Sequence, residues 1–130
     1  MRAGKGMVNE MKKEYRLTEA ETEFAELIWS HEPVSSTALV HLCEEAFAWK
    51  KSTTYTMLKN LCEKGVFRNE DATVTAIMKK EDFYGKQSRE YVNEVFGGSL
   101  PRFLAAFCGG RKLTAAEAAE MRRLIDEAED

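Results

Sequence analysis

Cysteine is scarce in this chain of 130 residues, with Cys43, Cys62 and Cys108 alone. Their number is odd, their spacing is wide, and no Cys-x-x-Cys or Cys-x-Cys pair occurs. A disulfide framework is therefore excluded, and free thiols in a reducing compartment are expected. Long apolar runs are also missing, so no segment is expected to span a bilayer. The first sixteen residues carry charge but no apolar core segment, and no terminal motif asks for a lipid anchor. The chain is expected in the cytoplasm, away from membranes.

Histidine is scarcer still, with His31 and His41 alone, and neither lies in a metalloprotease helix motif. His41 and Cys43 are two positions apart on a helical segment, so they point about 200° apart at about 100° per residue. They do not share an ion readily, and no metal or cofactor is expected. The pairs Gly97-Gly98 and Gly109-Gly110 follow helical patterns rather than strands, which rules out a phosphate-cradling loop. No catalytic constellation emerges, and an enzyme is not expected.

What is present suits a globular domain with an appendage. Apolar residues make up 44% and charged residues 32%, too much of the first for a disordered chain. The net charge of −3 argues at first against nucleic acid, but its distribution matters more. Residues 1–17 hold five basic and two acidic side chains, and residues 49–64 hold four and one, so each segment is +3. Residues 18–32 hold five glutamates and no Lys or Arg, a charge of −5. Residues 114–130 hold two arginines and six acids, a charge of −4. A basic reading face and an acidic back can coexist in a protein of this size.

Thr18-Glu19-Ala20-Glu21 has capping-box spacing, and Ala20, Phe24, Leu27 and Ile28 follow as one helical face. This helix should stop near His31, because Pro33 follows. Ser35 caps a second helix with Leu39, Leu42, Cys43 and Ala46 inward. A third helix is expected from about Lys51 to Lys64, with Gly65 past its end. Thr54, Leu58 and Leu61 cluster on one side of it, while Ser52, Thr56, Lys59 and Glu63 lie opposite. Residues 66–70 and 73–77 read as a short hairpin around Asp71-Ala72. Three helices and a hairpin follow the order of a winged helix-turn-helix.

Three more helices are expected after it. One spans Glu81 to Phe96, with Tyr84, Tyr91, Val92 and Val95 on one side. Ser99 caps the next, whose apolar stripe is Leu100, Phe103, Leu104 and Phe107. Thr114 and Glu117 form a second capping box, followed by Ala118, Met121, Ile125 and Ala128. The fold class expected is mainly α: a winged helix followed by a C-terminal helical dimerisation arm. Its boundaries are a flexible basic segment at 1–16, a DNA-binding domain at 17–79 and a dimerisation domain at 80–130.

The third helix offers small hydroxyl, amide and amine side chains, which can bond base edges and phosphates without filling a groove. Lys51, Ser52, Thr53, Tyr55, Thr56, Lys59 and Asn60 are the candidates, with Arg68 on the hairpin. Lys51 and Lys59 suit phosphates. Tyr55 suits either a thymine methyl or the domain edge. The plain alternative for the whole set is a solvated helix face; its place as third helix of a helix-turn-helix favours DNA. Tyr91, Val95, Leu100, Phe103, Leu104, Phe107, Met121 and Ile125 are the candidates for pairing two copies.

The chain resembles the penicillinase-repressor family of bacterial winged-helix proteins, which includes repressors of β-lactamase and methicillin-resistance genes and copper-responsive relatives. Leu17 to Glu21 with Ile28-Trp29 is similar to the family's first helix. Trp49 with residues 52–58 and 61–65 is similar to its recognition helix. Glu81-Asp82-Phe83 and Phe96-Gly97-Gly98-Ser99-Leu100 are similar to its linker and dimerisation segments. The resemblance covers residues 17–126. It implies a cytoplasmic transcriptional repressor that binds a palindromic DNA operator as a homodimer. For several members it also implies a sensor protease cutting an Asn-Phe bond; the matching pair here is Ala106-Phe107, without the asparagine. The cysteine cluster of the copper-responsive branch is missing. The hairpin is shorter than the family's and reads Asn69-Glu70-Asp71-Ala72 at its tip, so weak wing contacts are expected. A winged-helix adaptor that binds protein instead of DNA is the alternative from another class, and a metal-responsive repressor is a third.

Overall fold

The computed structural model describes residues 16–129. The expectation of a flexible basic segment falls almost wholly outside them. Contacts divide the chain into two compact units, meeting between Glu90 and Tyr91.

The first unit opens with α1 (Glu19–His31). Its capping box forms as expected: Glu21 N–H donates to Thr18 Oγ1 at 3.1 Å, and Thr18 N–H to Glu21 Oε1 at 2.9 Å. The inward face keeps the expected Phe24 and Ile28, adds Glu21 and Ala25, and omits Ala20. Glu21, Phe24, Ala25 and Ile28 are buried, Leu27 is half-buried and Ala20 is exposed. Glu21 turns inward because Lys64 Nζ reaches both its carboxylate oxygens at 3.2 Å. Burial pushes this carboxyl's pKa up, but the Thr18 N–H and the Lys64 ammonium outweigh it and leave the pKa lowered.

A two-residue strand, β1 (Val34–Ser35), precedes α2 (Ser36–Phe47). Ser35 caps α2 by accepting from Ala38 N–H at 3.0 Å. Leu39 and Cys43 are buried, whereas Ala46, expected inward, is exposed. The helix ends one residue later, at Phe47, and Ala48 takes a left-handed φ of 56°. That turn brings the Phe47 and Trp49 rings to 4.7 Å, with Trp49 also 5.3 Å from Phe24. Phe47 packs against the core from the end of the helix, half-buried.

α3 (Lys51–Glu63) buries Thr54, Leu58 and Leu61, the three residues expected. Gly65 follows at φ 79°, where only glycine is free of strain. β2 (Phe67–Glu70) and β3 (Thr73–Ala76) make the hairpin. The sheet order is β1-β3-β2, all antiparallel, with Val34 opposite Val74 and Ser35 opposite Thr73. α4 (Lys80–Phe96) begins in this unit. Its buried residue is Phe83, which the expected Tyr84, Tyr91, Val92, Val95 face omitted. Phe83 packs 5.7 Å from the Trp29 ring, and Trp29 Nε1 donates to the Met78 carbonyl at 3.0 Å. The core is thus α1, α2 and α3 with β2, β3 and the start of α4: a winged helix.

The second unit holds the end of α4, α5 (Leu100–Gly109) and α6 (Ala115–Ala128). Gly97 and Gly98, at φ 60° and 82°, stop α4. Ser99 caps α5 through Arg102 N–H, and Thr114 with Glu117 forms the second capping box. Neither α5 nor α6 contains a buried residue. No helix among the described residues is long and apolar enough to cross a membrane.

Candidate nucleic-acid interface

Burial of Thr54, Leu58 and Leu61 fixes which side of α3 faces solvent. Lys51, Ser52, Thr53, Thr56 and Lys59 are exposed, and Asn60 is half-buried. Five of the eight expected contact residues therefore share one open helical surface. The N-terminus of α3 is unusual. Lys50 occupies the cap with extended φ −73° and ψ 157°, and no side chain caps the first turn. No acidic residue lies in that turn. Uncapped backbone N–H groups beside lysines form a ready anion site. Lys50 is exposed and was missed among the candidates. The signal that finds it is a lysine where Ser, Thr, Asp or Asn would normally cap.

Tyr55 is half-buried, and its hydroxyl donates to Ser36 Oγ at 3.4 Å. Of the two expected roles, this contact favours the domain edge, because it ties α3 to the first residue of α2. Lys51 Nζ lies 6.0 Å from the Tyr55 ring centroid, at the limit of a cation–π contact. Arg68 sits on β2 and pairs with Glu70, Nε to Oε1 at 3.1 Å.

The opposite end of α3 is held from behind. Lys64 anchors on Glu21 and also donates to the Arg16 carbonyl at 3.1 Å. On the far edge of the unit, Tyr84 donates to Glu26 Oε2 at 2.6 Å and Lys80 pairs with Glu26 at 2.7 Å. Burial and the Glu26 carboxylate push the Tyr84 phenol up to about 12. Burial raises the thiols of Cys43 and Cys62, which disfavours the thiolate at both. Among the described residues no three His, Cys, Asp or Glu side chains stand close enough to share one ion.

The second unit carries a different surface. Tyr91 is 52% exposed, Val95 52%, Leu100 63%, Phe107 49% and Ile125 58%. Phe103, Leu104 and Met121 are half-buried. Leu124, on α6, is also 52% exposed and was not among the candidates. Phe103 ties the surface together, with Tyr91, Phe96 and Phe107 rings 6.3, 5.4 and 6.4 Å away.

Comparison with known proteins places these features in a family. The sequence model described as penicillinase repressor matches residues 17–127. The penicillinase repressor of Bacillus licheniformis is 23% identical over 121 residues, covering 90% of this chain and 94% of that one. The methicillin resistance regulatory protein MecI of Staphylococcus aureus is 24% identical over 119 residues, covering 88% and 97%. The MecI protein of Mammaliicoccus sciuri is 23% identical over 119 residues, with the same coverage. With a match spanning both units and all the described helices nearly to the end of α6, the chain belongs to the penicillinase repressor family.

Proposed function

We propose that this protein is a homodimeric transcriptional repressor that reads a palindromic DNA operator through α3. The observation that carries the reading is the open row of Lys51, Ser52, Thr53, Thr56 and Lys59 on a helix with an uncapped, lysine-flanked N-terminus. Ser52, Thr53 and Thr56 are short enough for base edges and phosphates. Lys50, Lys51 and Lys59 supply phosphate contacts, which give affinity without sequence preference. The relatives are named as repressors and resistance regulators, which agrees with this role.

Pairing follows from the second unit. A monomer rarely leaves a large contiguous apolar patch in water. Leu100, Phe107, Leu124 and Ile125 are each about half exposed or more in one chain. A second copy covers them and brings two reading helices to one site. The half-sites then lie about one helical turn, or a multiple, apart. A sensor protease is a further partner of this reading; its target would be the Ala106-Phe107 bond inside α5.

The test is a titration of the purified chain against the DNA upstream of its own coding region, beside unrelated duplex, at several salt concentrations. The expected result is preference for the upstream fragment and an affinity that falls steeply with salt. Equal, weak binding to both duplexes would instead favour a protein-binding adaptor.

A further inference from the structure

In the hairpin, Arg68 and Glu70 are two residues apart on β2, so their side chains leave the same face. The register sets Thr75 opposite Arg68 and Thr73 opposite Glu70. Phe67 and Val74, on the other face, are buried in the core. The Arg68 face is thus the solvent face, and its cation is engaged by its own strand neighbour at 3.1 Å. β1 pairs with Thr73 and Val74, the turn end of β3. The Ala72 carbonyl accepts from Ser36 N–H at 2.8 Å, which ties the turn to the start of α2. Asp71, exposed in that turn, adds a second negative charge beside Glu70.

We infer that Glu70 sequesters Arg68 and silences the hairpin as a DNA contact, so that affinity responds more to Glu70 than to Arg68. The carboxylate takes the Nε donor of the guanidinium and offsets its charge, so a phosphate must compete with it. Releasing Arg68 requires breaking this pair, and nearby phosphates are repelled by the acids within about 8–10 Å at moderate salt. DNA contact is thereby confined to α3. The inference rests on the DNA-binding reading above.

The test is a double-mutant cycle in the full chain: wild type, R68Q, E70Q and R68Q/E70Q, each titrated on the upstream fragment and on unrelated duplex. Both side chains are more than half exposed, at 55% and 70%, so all four proteins should melt alike. E70Q is expected to bind both duplexes about three- to tenfold tighter at low salt, a gain that fades at high salt. R68Q alone should weaken binding by less than about threefold, because it removes no phosphate contact and only leaves the Glu70 charge uncompensated. In the E70Q background, R68Q should remove most of the gain, and this coupling is the signature. Wild-type binding with no response to E70Q overturns the inference and leaves the DNA reading intact. A loss of about fivefold or more for R68Q alone also overturns it, since Arg68 would then already be on DNA. A wild type with no salt-dependent affinity for any duplex overturns both.

Discussion

Thr54 brings a hydroxyl into the core of the first unit, 1% exposed, with no hydrogen bond of ordinary geometry at Oγ1. It acts on the Cys43 thiol, whose pKa is pushed up by burial and drawn back by that hydroxyl. Valine keeps the shape and removes the unpaired group. Thr54→Val is therefore expected to stabilise the protein by about 1 kcal/mol, seen as a higher denaturation midpoint. Glu21 behaves in the opposite way, because its charge is buried and answered by Lys64 and the Thr18 N–H. Its folded pKa is lowered, so its contribution is fully present above the unfolded value of 4.5 and is lost as pH falls through the folded value. Glu21→Gln should cost about 1.5–3 kcal/mol near pH 7. The stability gap to wild type should close as pH drops below about 4.5. A gap independent of pH would show that packing, not charge, is what the substitution removes.

At the scale of elements, α3 divides its residues sharply between core and solvent, and each half has its own test. Lys59 is exposed and makes no contact with the core, so Lys59→Ala should leave thermal stability within about 0.5 kcal/mol of wild type. It should weaken binding to all duplexes and lower the salt slope by about 1. Thr56→Ala should instead weaken the preferred duplex more than unrelated DNA, if Thr56 reads a base edge. What was legible in the sequence follows from the range of the forces involved. Both capping boxes, the Ser35 and Ser99 caps and the Gly65 stop depend on neighbours within a few residues, and all could be read directly. The buried side of α3 was legible because three apolar or small positions repeat at helical spacing. The inward turn of Glu21 was not, since its partner Lys64 lies 43 residues away. Nor was β1, which exists through its pairing with β3 and has too few residues to show a period. Phe83 escaped because its ring partner Trp29 comes from another element of the core. Of the candidates on α3, Lys51, Ser52, Thr53, Thr56 and Lys59 are exposed, while Tyr55 and Asn60 are half-buried because they lie at the margins of the buried side.

Across the whole molecule, two units make two different demands. The first closes its own core, with eleven buried apolar residues drawn from every one of its helices and from β2, β3 and the turn before β2. The second buries none in α5 or α6. Replacing both Leu100 and Phe107 by aspartate should leave the first unit's melting intact, shift the chain from dimer to monomer in sedimentation and weaken operator binding at least about tenfold. The most direct measurement of the central claim is the number of chains bound per duplex at saturation, by sedimentation of the full chain with its upstream DNA. The account predicts a dimer free in solution and two chains on each duplex. A chain that stays monomeric at micromolar concentration and binds one per duplex would contradict it.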